Sequence, residues 1–504
     1  MATAEKVIET VIKNPGLVMS DAYLKLWKAE YEKIDADIEA NRKADALVCL
    51  GDKIAPGTEV RVEQVSHEFV FGAHIFNFDQ LGSDECNARY KELYGTLFNS
   101  ATIAFYWKCF EPEEGTPRFK AKYEDTAEFW NSIKEPKRQP HWRRPATDPV
   151  VEFCESKGIR MHGHTLVWGN AQWHMPDWVF EKIPESYRKN ARPPENPSVT
   201  PRIELFDSMT PAQIEKLLPG FTNEVNTLMT RRIIEIALRY KGRLHSWDIV
   251  NESATDFGLG LHIAGDGLCK SGNGLMPGDY ACRSFKIAES AFPKKVFLNI
   301  NDYNLGEDYL RQVQDLQTRG CKIDVMGAQM HIFNPQQCKD IADGNSDEKT
   351  DAKVRPDKIR ATIERLATAG VPIHMSEITI SAPTTTAGEE QGRLIQAIIA
   401  RNLYRLWFSL KPVMGITWWN VVDDCGAPGE PSVSGLFTRD MKPKPAHDVL
   451  KHLIHDEWKT RLTVRAGADG TVHFRGFRGG YKLTWQDDSG RTHVTPYILG
   501  TECK

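Results

Sequence analysis

Between residues 69 and 418 the sequence repeats one pattern: a short apolar run, a longer polar or amphipathic stretch, then another apolar run. Eight runs are legible: Phe69–Ile75, Phe98–Phe105, Ile159–Leu166, Leu244–Val250, Val296–Ile300, Ile323–Gln329, Ile373–Ser376 and Val413–Trp418. Runs this short read as strands, and helices between them make the pairing parallel, because a crossover helix returns the chain to the same end of the sheet. Two of the intervening helices are well marked. Arg231–Lys241 carries Ile233, Ile236, Ala237 and Tyr240 on one face before Gly242, and Lys358–Ala369 ends at Gly370. Eight strands with covering helices favour a closed (β/α)8 barrel over an open doubly wound sheet. No GxGxxG or Walker A sequence follows the first run, which removes the usual nucleotide-binding readings.

The flanks differ from the repeat. Residues 21–43 carry Leu24, Trp27, Tyr31, Ile34 and Ile38 at the spacing of one amphipathic helix. Ala46–Leu50 and Thr58–Val65 alternate like a small antiparallel sheet turning at Gly51-Asp52. Thr460–Val464, Thr471–Phe477, Tyr481–Gln486 and Thr492–Ile498 alternate as well, with Gly470, Gly479-Gly480 and Asp487–Gly490 as turns. The expected organisation is a helix and β segment over 1–66, the barrel over 67–456 and a β unit over 457–504, the chain ends meeting in one accessory β-sandwich. Phe474, Phe477, Tyr481 and Trp485 are read as sandwich core before a sugar-binding face. Two stretches rich in Pro, Arg and Asn, 131–148 and 183–220, read as loops over the barrel.

Composition narrows the partners. A formal charge of −4 over 504 residues gives no basic face, so nucleic acid and anionic membranes are poor partners. No apolar run approaches the roughly 20 residues that span a bilayer. The ten cysteines are scattered without a CxxC pair. Most are expected as buried free thiols, with one or two bridges left open. Thirteen tryptophans is a high count, and Trp107, Trp168, Trp173, Trp178, Trp247, Trp418 and Trp419 fall beside the strand-like runs. Indole packs well on the apolar C–H faces of sugars, so the group suggests a carbohydrate cleft, although a core position is the better expectation for any single one.

Barrel chemistry sits at the C-terminal ends of strands. The fourth run delivers Asn251-Glu252 and the seventh delivers Glu377, two carboxylates facing each other across the mouth. A lone strand-end Glu reads as half of a salt bridge. The opposed pair suits retaining glycoside hydrolysis, in which one acid protonates the leaving oxygen and one carboxylate attacks carbon at a separation of roughly 5–5.5 Å. The acid needs a raised pKa, supplied partly by the neighbouring negative charge, and the nucleophile needs hydrogen-bond donors. A competing reading takes His162 and His164, with His331 and Asp423, as the metal set of an amidohydrolase-type barrel. It leaves both glutamates without a task. A non-catalytic carbohydrate-binding barrel would fit only if one of them were missing.

Trp247–Glu252, Asn301-Asp302-Tyr303-Asn304, Gly327–His331 and Ser376-Glu377-Ile378 together resemble the strand-end motifs of glycoside hydrolase family 10, the xylanases. Gly163–Trp168, Gly415–Trp419 and Lys444-Pro445-Ala446 are similar to its third strand, closing strand and final helix entry. The motifs fall in order across roughly residues 65–455. The resemblance implies an endo-β-1,4-xylanase with retaining chemistry, Glu252 as acid/base and Glu377 as nucleophile. It implies that Asn251 contacts the sugar 2-hydroxyl, that His331 holds Glu377, that His164, Trp168, Gln329 and Trp419 line the reacting subsite, and that Tyr303 lies on the leaving-group side. No cofactor or metal is implied. The substrate would be xylan or arabinoxylan, as polysaccharide or oligosaccharide, and the chain a monomer. The residues Met1–Lys6 lack the apolar core of a signal peptide. The expected location is secreted, periplasmic or cell-surface with a leader removed, and the alternative is the cytoplasm.

Four departures bear on specificity. The family's Asn and Lys that grip the next sugar are replaced within Thr102–Lys108, where Tyr106 stands near the Lys position and Ile103, Tyr106 and Trp107 offer apolar surface. Thr379 stands in place of an Asp, His162 in place of an Arg, and Asp424-Cys425-Gly426 in place of a Trp. A relative acting on decorated xylan oligosaccharides or another β-glycoside is therefore the alternative.

Overall fold

The computed structural model describes residues 3–188, 206, 209–265, 267–272 and 274–500. All eight apolar runs form parallel strands, numbered one to eight here: Val70–His74, Ser100–Ala104, Arg160–His164, Ser246–Asn251, Phe297–Asp302, Val325–Ile332, Ile373–Ile380 and Val413–Trp418. Each pairs with the next in chain order and the eighth pairs with the first, so the sheet closes into the expected barrel. Helices cover the outside and side chains fill the inside. Strands buried on both faces favour apolar residues on both, which is why the runs are not strictly alternating, and the polar residues within them, such as His162, His164, Asp248 and Asn301, are buried as well. Strand three passes Trp247 so closely that a β-carbon on Gly163 would lie 2.1 Å from the indole ring. Only glycine fits there.

Helix boundaries moved where polar residues dilute the pattern. The helix expected over Arg231–Lys241 begins ten residues earlier, as Phe221–Tyr240. Its first turns bury Val225, Leu228 and Met229 but interleave them with Thr222, Asn223 and Asn226. The helix expected over 21–43 is two, Asp21–Lys28 and Tyr31–Arg42. The break gives each its own partner, helix Pro335–Asp343 for the first and helix Glu389–Ser409 for the second. A further helix, Ala4–Lys13, capped by the Thr3 hydroxyl and burying Val7 and Val11, was not read from the sequence. Of the stretch 183–220, residues 189–205, 207 and 208 lie outside the described residues. Its end, Pro211–Leu217, is a helix with a Thr210–Gln213 capping box rather than loop.

The chain ends do build one accessory β unit, but not through the hairpin expected at 44–66. Lys43–Cys49 pairs antiparallel with Thr471–Phe477. Glu59–His67 lies between Arg461–Arg465 and Gly479–Gln486, with Thr492–Leu499 at the edge. Both N-terminal strands thus take C-terminal partners. Alternation specifies which face is buried, not which neighbour is chosen. Val48, Val60, Val472, Phe474, Tyr481, Leu483 and Trp485 form the core of this unit, while Phe477 joins the barrel core beside Phe408.

Eight cysteines are described as free thiols, five of them buried. The Cys282 and Cys321 sulfurs approach to 3.4 Å without a bond. The side chain of Cys269 and residue Cys503 lie outside the described set. Among the described residues no helix is long and apolar enough to cross a membrane.

Candidate active site

Glu252 follows the last residue of strand four and takes a left-handed backbone, φ 54°, sparsely populated for a side chain of this size. Its amide nitrogen donates to the Asn301 carbonyl at 2.7 Å. Strand four carries one extra residue, Ile249, against strand five just before this point. Strand seven carries one extra residue between His374 and Glu377 against strand six. Such bulges bend the strand and re-aim the side chains that follow, and here one lies three residues before Glu252 and one within the two residues before Glu377. Glu377 itself lies inside strand seven, not after its end, because the strand continues to Ile380. The apolar run stops at the polar Ser376, and that polarity hid the rest of the strand.

Hydrogen bonds join the two carboxylates through a chain of amides. Gln329 Nε2 donates to Glu252 Oε1 at 3.1 Å and to Asn251 Oδ1 at 3.3 Å. Asn301 Nδ2 donates to Asn251 Oδ1 at 2.9 Å and to Glu377 Oε1 at 2.7 Å. The Ser376 hydroxyl donates to Asn301 Oδ1 at 2.5 Å and fixes the flip of that amide. A β-carbon on Gly327 would lie 2.2 Å from the same oxygen, so the glycine makes room for Asn301.

The surroundings of the glutamates differ. Glu377 Oε2 lies 3.2 Å from His331 Nε2, and its Oε1 lies 3.8 Å from His164 Nε2. His331 Nδ1 lies 2.9 Å from the Thr379 hydroxyl, which holds the ring where the family's Asp would. Burial pushes the Glu252 carboxyl up to about 8, with the charges of Glu377 and Asp302 adding to it and the Gln329 hydrogen bond offsetting part. Burial likewise raises Asp302 to about 7, against hydrogen bonds from the Ala254 and Asn304 amides.

All nine residues singled out in the sequence line one cleft of about 530 Å³: Glu252, Glu377, His164, Trp168, Asn251, Tyr303, Gln329, His331 and Trp419. Trp173 joins them, whereas Trp107, Trp247 and Trp418 are core, so the cleft takes three of the seven tryptophans. The departures resolve differently from expectation. Ile103 is buried in the barrel core and Trp107 donates to Glu111 inside the protein, leaving Tyr106 alone of that stretch to face the cleft. Lys108 reaches Asp177 instead.

The metal reading fails on geometry. His162 Nε2 and His164 Nδ1 both lie within 2.9 Å of Asp248 Oδ2, and His162 Nδ1 lies 2.8 Å from the Ser246 hydroxyl. Burial alone would raise the Asp248 carboxyl, but the charge of His162 and hydrogen bonds from both rings hold it well below the usual range. Asp423 accepts from the buried Lys444 at 2.9 Å. Among the described residues no three His, Cys, Asp or Glu side chains converge as a metal set.

Sequence reasoning missed Asp248, Asn301, Arg143, Arg144, Lys353 and Glu430. The first two stood inside quoted motifs and could have been found by asking what orients His164 and Glu377. Arg143 and Arg144 come from the stretch read only as loop, and Glu430 from the segment after strand eight. Arg143 is buried and donates to Glu430 Oε2 at 3.0 Å and Asn420 Oδ1 at 3.0 Å, with His74 Nε2 at 2.9 Å. Its only sequence signal was two adjacent arginines.

Comparison with known proteins agrees with this architecture. Endo-1,4-beta-xylanase C of Paenibacillus barcinonensis is 26% identical over 487 residues, covering 88% of this chain and 37% of that protein. Endo-1,4-beta-xylanase A of Thermoanaerobacterium saccharolyticum is 26% identical over 312 residues, covering 59% of this chain and 22% of that protein. The chain thus spans 37% and 22% of the length of these two relatives. The crystal structure of native xylanase 10B from Thermotoga maritima shares the fold, with a TM-score of 0.51 at 19% identity over 77% of this chain and 96% of that one. The sequence model described as Glycosyl hydrolase family 10 matches residues 85–453. That range takes in seven of the eight barrel strands, both glutamates and the amide chain between them, and by it the chain belongs to glycosyl hydrolase family 10.

Proposed function

We propose that the protein is a retaining endo-β-1,4-xylanase, with Glu252 as general acid/base and Glu377 as nucleophile. The observation that carries this reading is the contrast between two carboxylates joined by one amide chain. Glu252 holds its proton to about 8, whereas Glu377 accepts from Asn301 and faces His331 and His164. A sugar spanning them meets an acid on one side and an oriented carboxylate on the other.

In the first step a Glu377 oxygen attacks the anomeric carbon while Glu252 passes its proton to the departing glycosidic oxygen. The C–O bond to the leaving sugar breaks as the ester bond to Glu377 forms. In the second step Glu252, now a carboxylate, takes a proton from water, whose oxygen attacks the same carbon and releases Glu377. Asn251, fixed by Gln329 and Asn301, contacts the 2-hydroxyl, and Trp168 and Trp419 pack against the ring. Tyr303, half exposed beside Glu252, lies toward the leaving group. The substrate is a xylan-type polysaccharide or its oligosaccharides, and chelators leave the activity unchanged.

A product profile on xylan, arabinoxylan and cello-oligosaccharides, with the anomeric form of the first product read by proton NMR, tests this. Internal cuts in xylan releasing the β-anomer are expected. An α-anomer, or turnover of cello-oligosaccharides alone, would overturn it.

A further inference from the structure

Arg144 is a charged residue of the cleft that the reaction above does not use and that no carboxylate among the described residues pairs. Its guanidinium lies over the Tyr106 ring at 3.7 Å from the centroid, and Nη1 donates to the Arg143 carbonyl at 2.8 Å. Among the described residues it forms no ion pair. The carboxylate whose charge acts on it is Glu430, and both Glu430 oxygens are already engaged. Its Oε1 accepts from Trp419 at 3.0 Å, and its Oε2 accepts from Arg143 and Asn420 at 3.0 Å and from the Ala427 amide at 2.8 Å.

The placement is specific. The Tyr106 ring is 5.3 Å from His164 and feels the charge of Glu377, whereas Tyr303 feels that of Glu252, so Arg144 stands on the nucleophile's side of the cleft and Tyr303 on the acid's. Lys353 lines the same cleft, its ammonium held by the His331 carbonyl at 2.7 Å. With Glu252 protonated, the lining holds three cations, Arg143, Arg144 and Lys353, against two anions, Glu377 and Glu430. Burial disfavours the charged form of Arg144. A guanidinium desolvated without a carboxylate is costly, and a ligand that brings one recovers that cost.

We propose, resting on the glycosidase reading above, that Arg144 is a specificity residue for an acidic sugar: the subsite on the nucleophile's side of the cleft takes a xylan chain whose branch or end carries a uronic acid carboxylate. The planar fork of Arg144, preset by stacking on Tyr106, suits two-point contact with that carboxylate.

The test compares a xylo-oligosaccharide bearing a uronic acid branch with the same molecule after reduction of the carboxyl group to an alcohol. The wild-type protein should show kcat/KM at least about tenfold higher for the acid, the value of one charge-assisted hydrogen bond. Arg144→Gln should bring the ratio close to one, and Arg144→Lys should keep part of it. A wild-type ratio of one or below overturns the proposal, and this comparison needs no variant to fold. If neither oligosaccharide is cut, the glycosidase reading fails. Calorimetric binding of the same pair to the wild-type protein then decides the Arg144 claim: tighter binding of the acid by about tenfold upholds it, and equal binding overturns it.

Discussion

The floor and the rim of the cleft are built by different means. On the floor, Asn251, Glu252, Asn301, Gln329, His331 and Glu377 come from adjoining barrel strands or the residue after them, and each is held by its neighbour on the next strand. On the rim, Arg143, Arg144 and Glu430 come from two loops some 287 residues apart and are held by one ion pair, by hydrogen bonds with His74, Trp419, Asn420 and the Ala427 amide, and by the rings beneath them. The floor draws its rigidity from the closed sheet. The rim draws its order from one charge pair and the side-chain hydrogen bonds that tie it to His74, Trp419 and Asn420. Chemistry that every family member must perform belongs on the first, and choice of substrate belongs on the second.

Substitutions should separate the two. Glu377→Ala should lower turnover of every glycoside by more than about a thousandfold, with azide restoring a product of inverted anomeric configuration. More than a few per cent residual activity in a contamination-free preparation would break the assignment. Glu252→Ala should cost about a hundredfold or more on xylan yet far less on an aryl glycoside with a good leaving group, since a general acid matters most when the departing oxygen is basic. For wild type, the rate on xylan should fall as pH rises through about 8, where Glu252 loses its proton. The same shift has a stability consequence. The unfolded chain releases this proton near the ordinary 4.5 and the native protein keeps it to about 8. Native protein binds more protons between those values, so stability falls as pH rises across that window. Glu252→Gln should flatten that decline in urea titrations.

Rim variants should behave in the opposite way. Arg143→Ala leaves Glu430 buried without its partner and should cost about 3 kcal/mol of folding stability, read from urea melts. If it lowered kcat strongly at unchanged stability, the division between floor and rim would be wrong. The smallest effect is expected at Thr379. Thr379→Ala removes one hydrogen bond to His331, worth about 1 kcal/mol, or roughly fivefold in kcat.

This division also explains what was legible in the sequence. All eight strands were readable because burial on both faces leaves short, mostly apolar runs between polar stretches, although the third holds Arg160, His162 and His164. Their ends pointed to Glu252 and to Glu377, although strand seven passes through the polar Ser376 and runs on past Glu377 to Ile380. Bulges could not be read, because an extra residue changes the register of pairing and not the composition. The pairing of Lys43–Cys49 with Thr471–Phe477 was half legible: alternation marked both as strands, and only the fold chose the partner. Arg143 and Arg144 were illegible as site residues because a loop's reach depends on what it crosses. His162 and His164 were misleading, since two histidines two residues apart on a strand look the same whether they hold a metal or Asp248.

The central claim is that Glu377 forms a covalent bond to the sugar, and an activated 2-deoxy-2-fluoro xylobioside tests it most directly, because the fluorine slows release of the intermediate. After proteolysis and mass spectrometry, the account predicts a single glycosyl adduct on Glu377. An adduct on Glu252, or rapid cleavage of the reagent with no adduct on either glutamate, would contradict it.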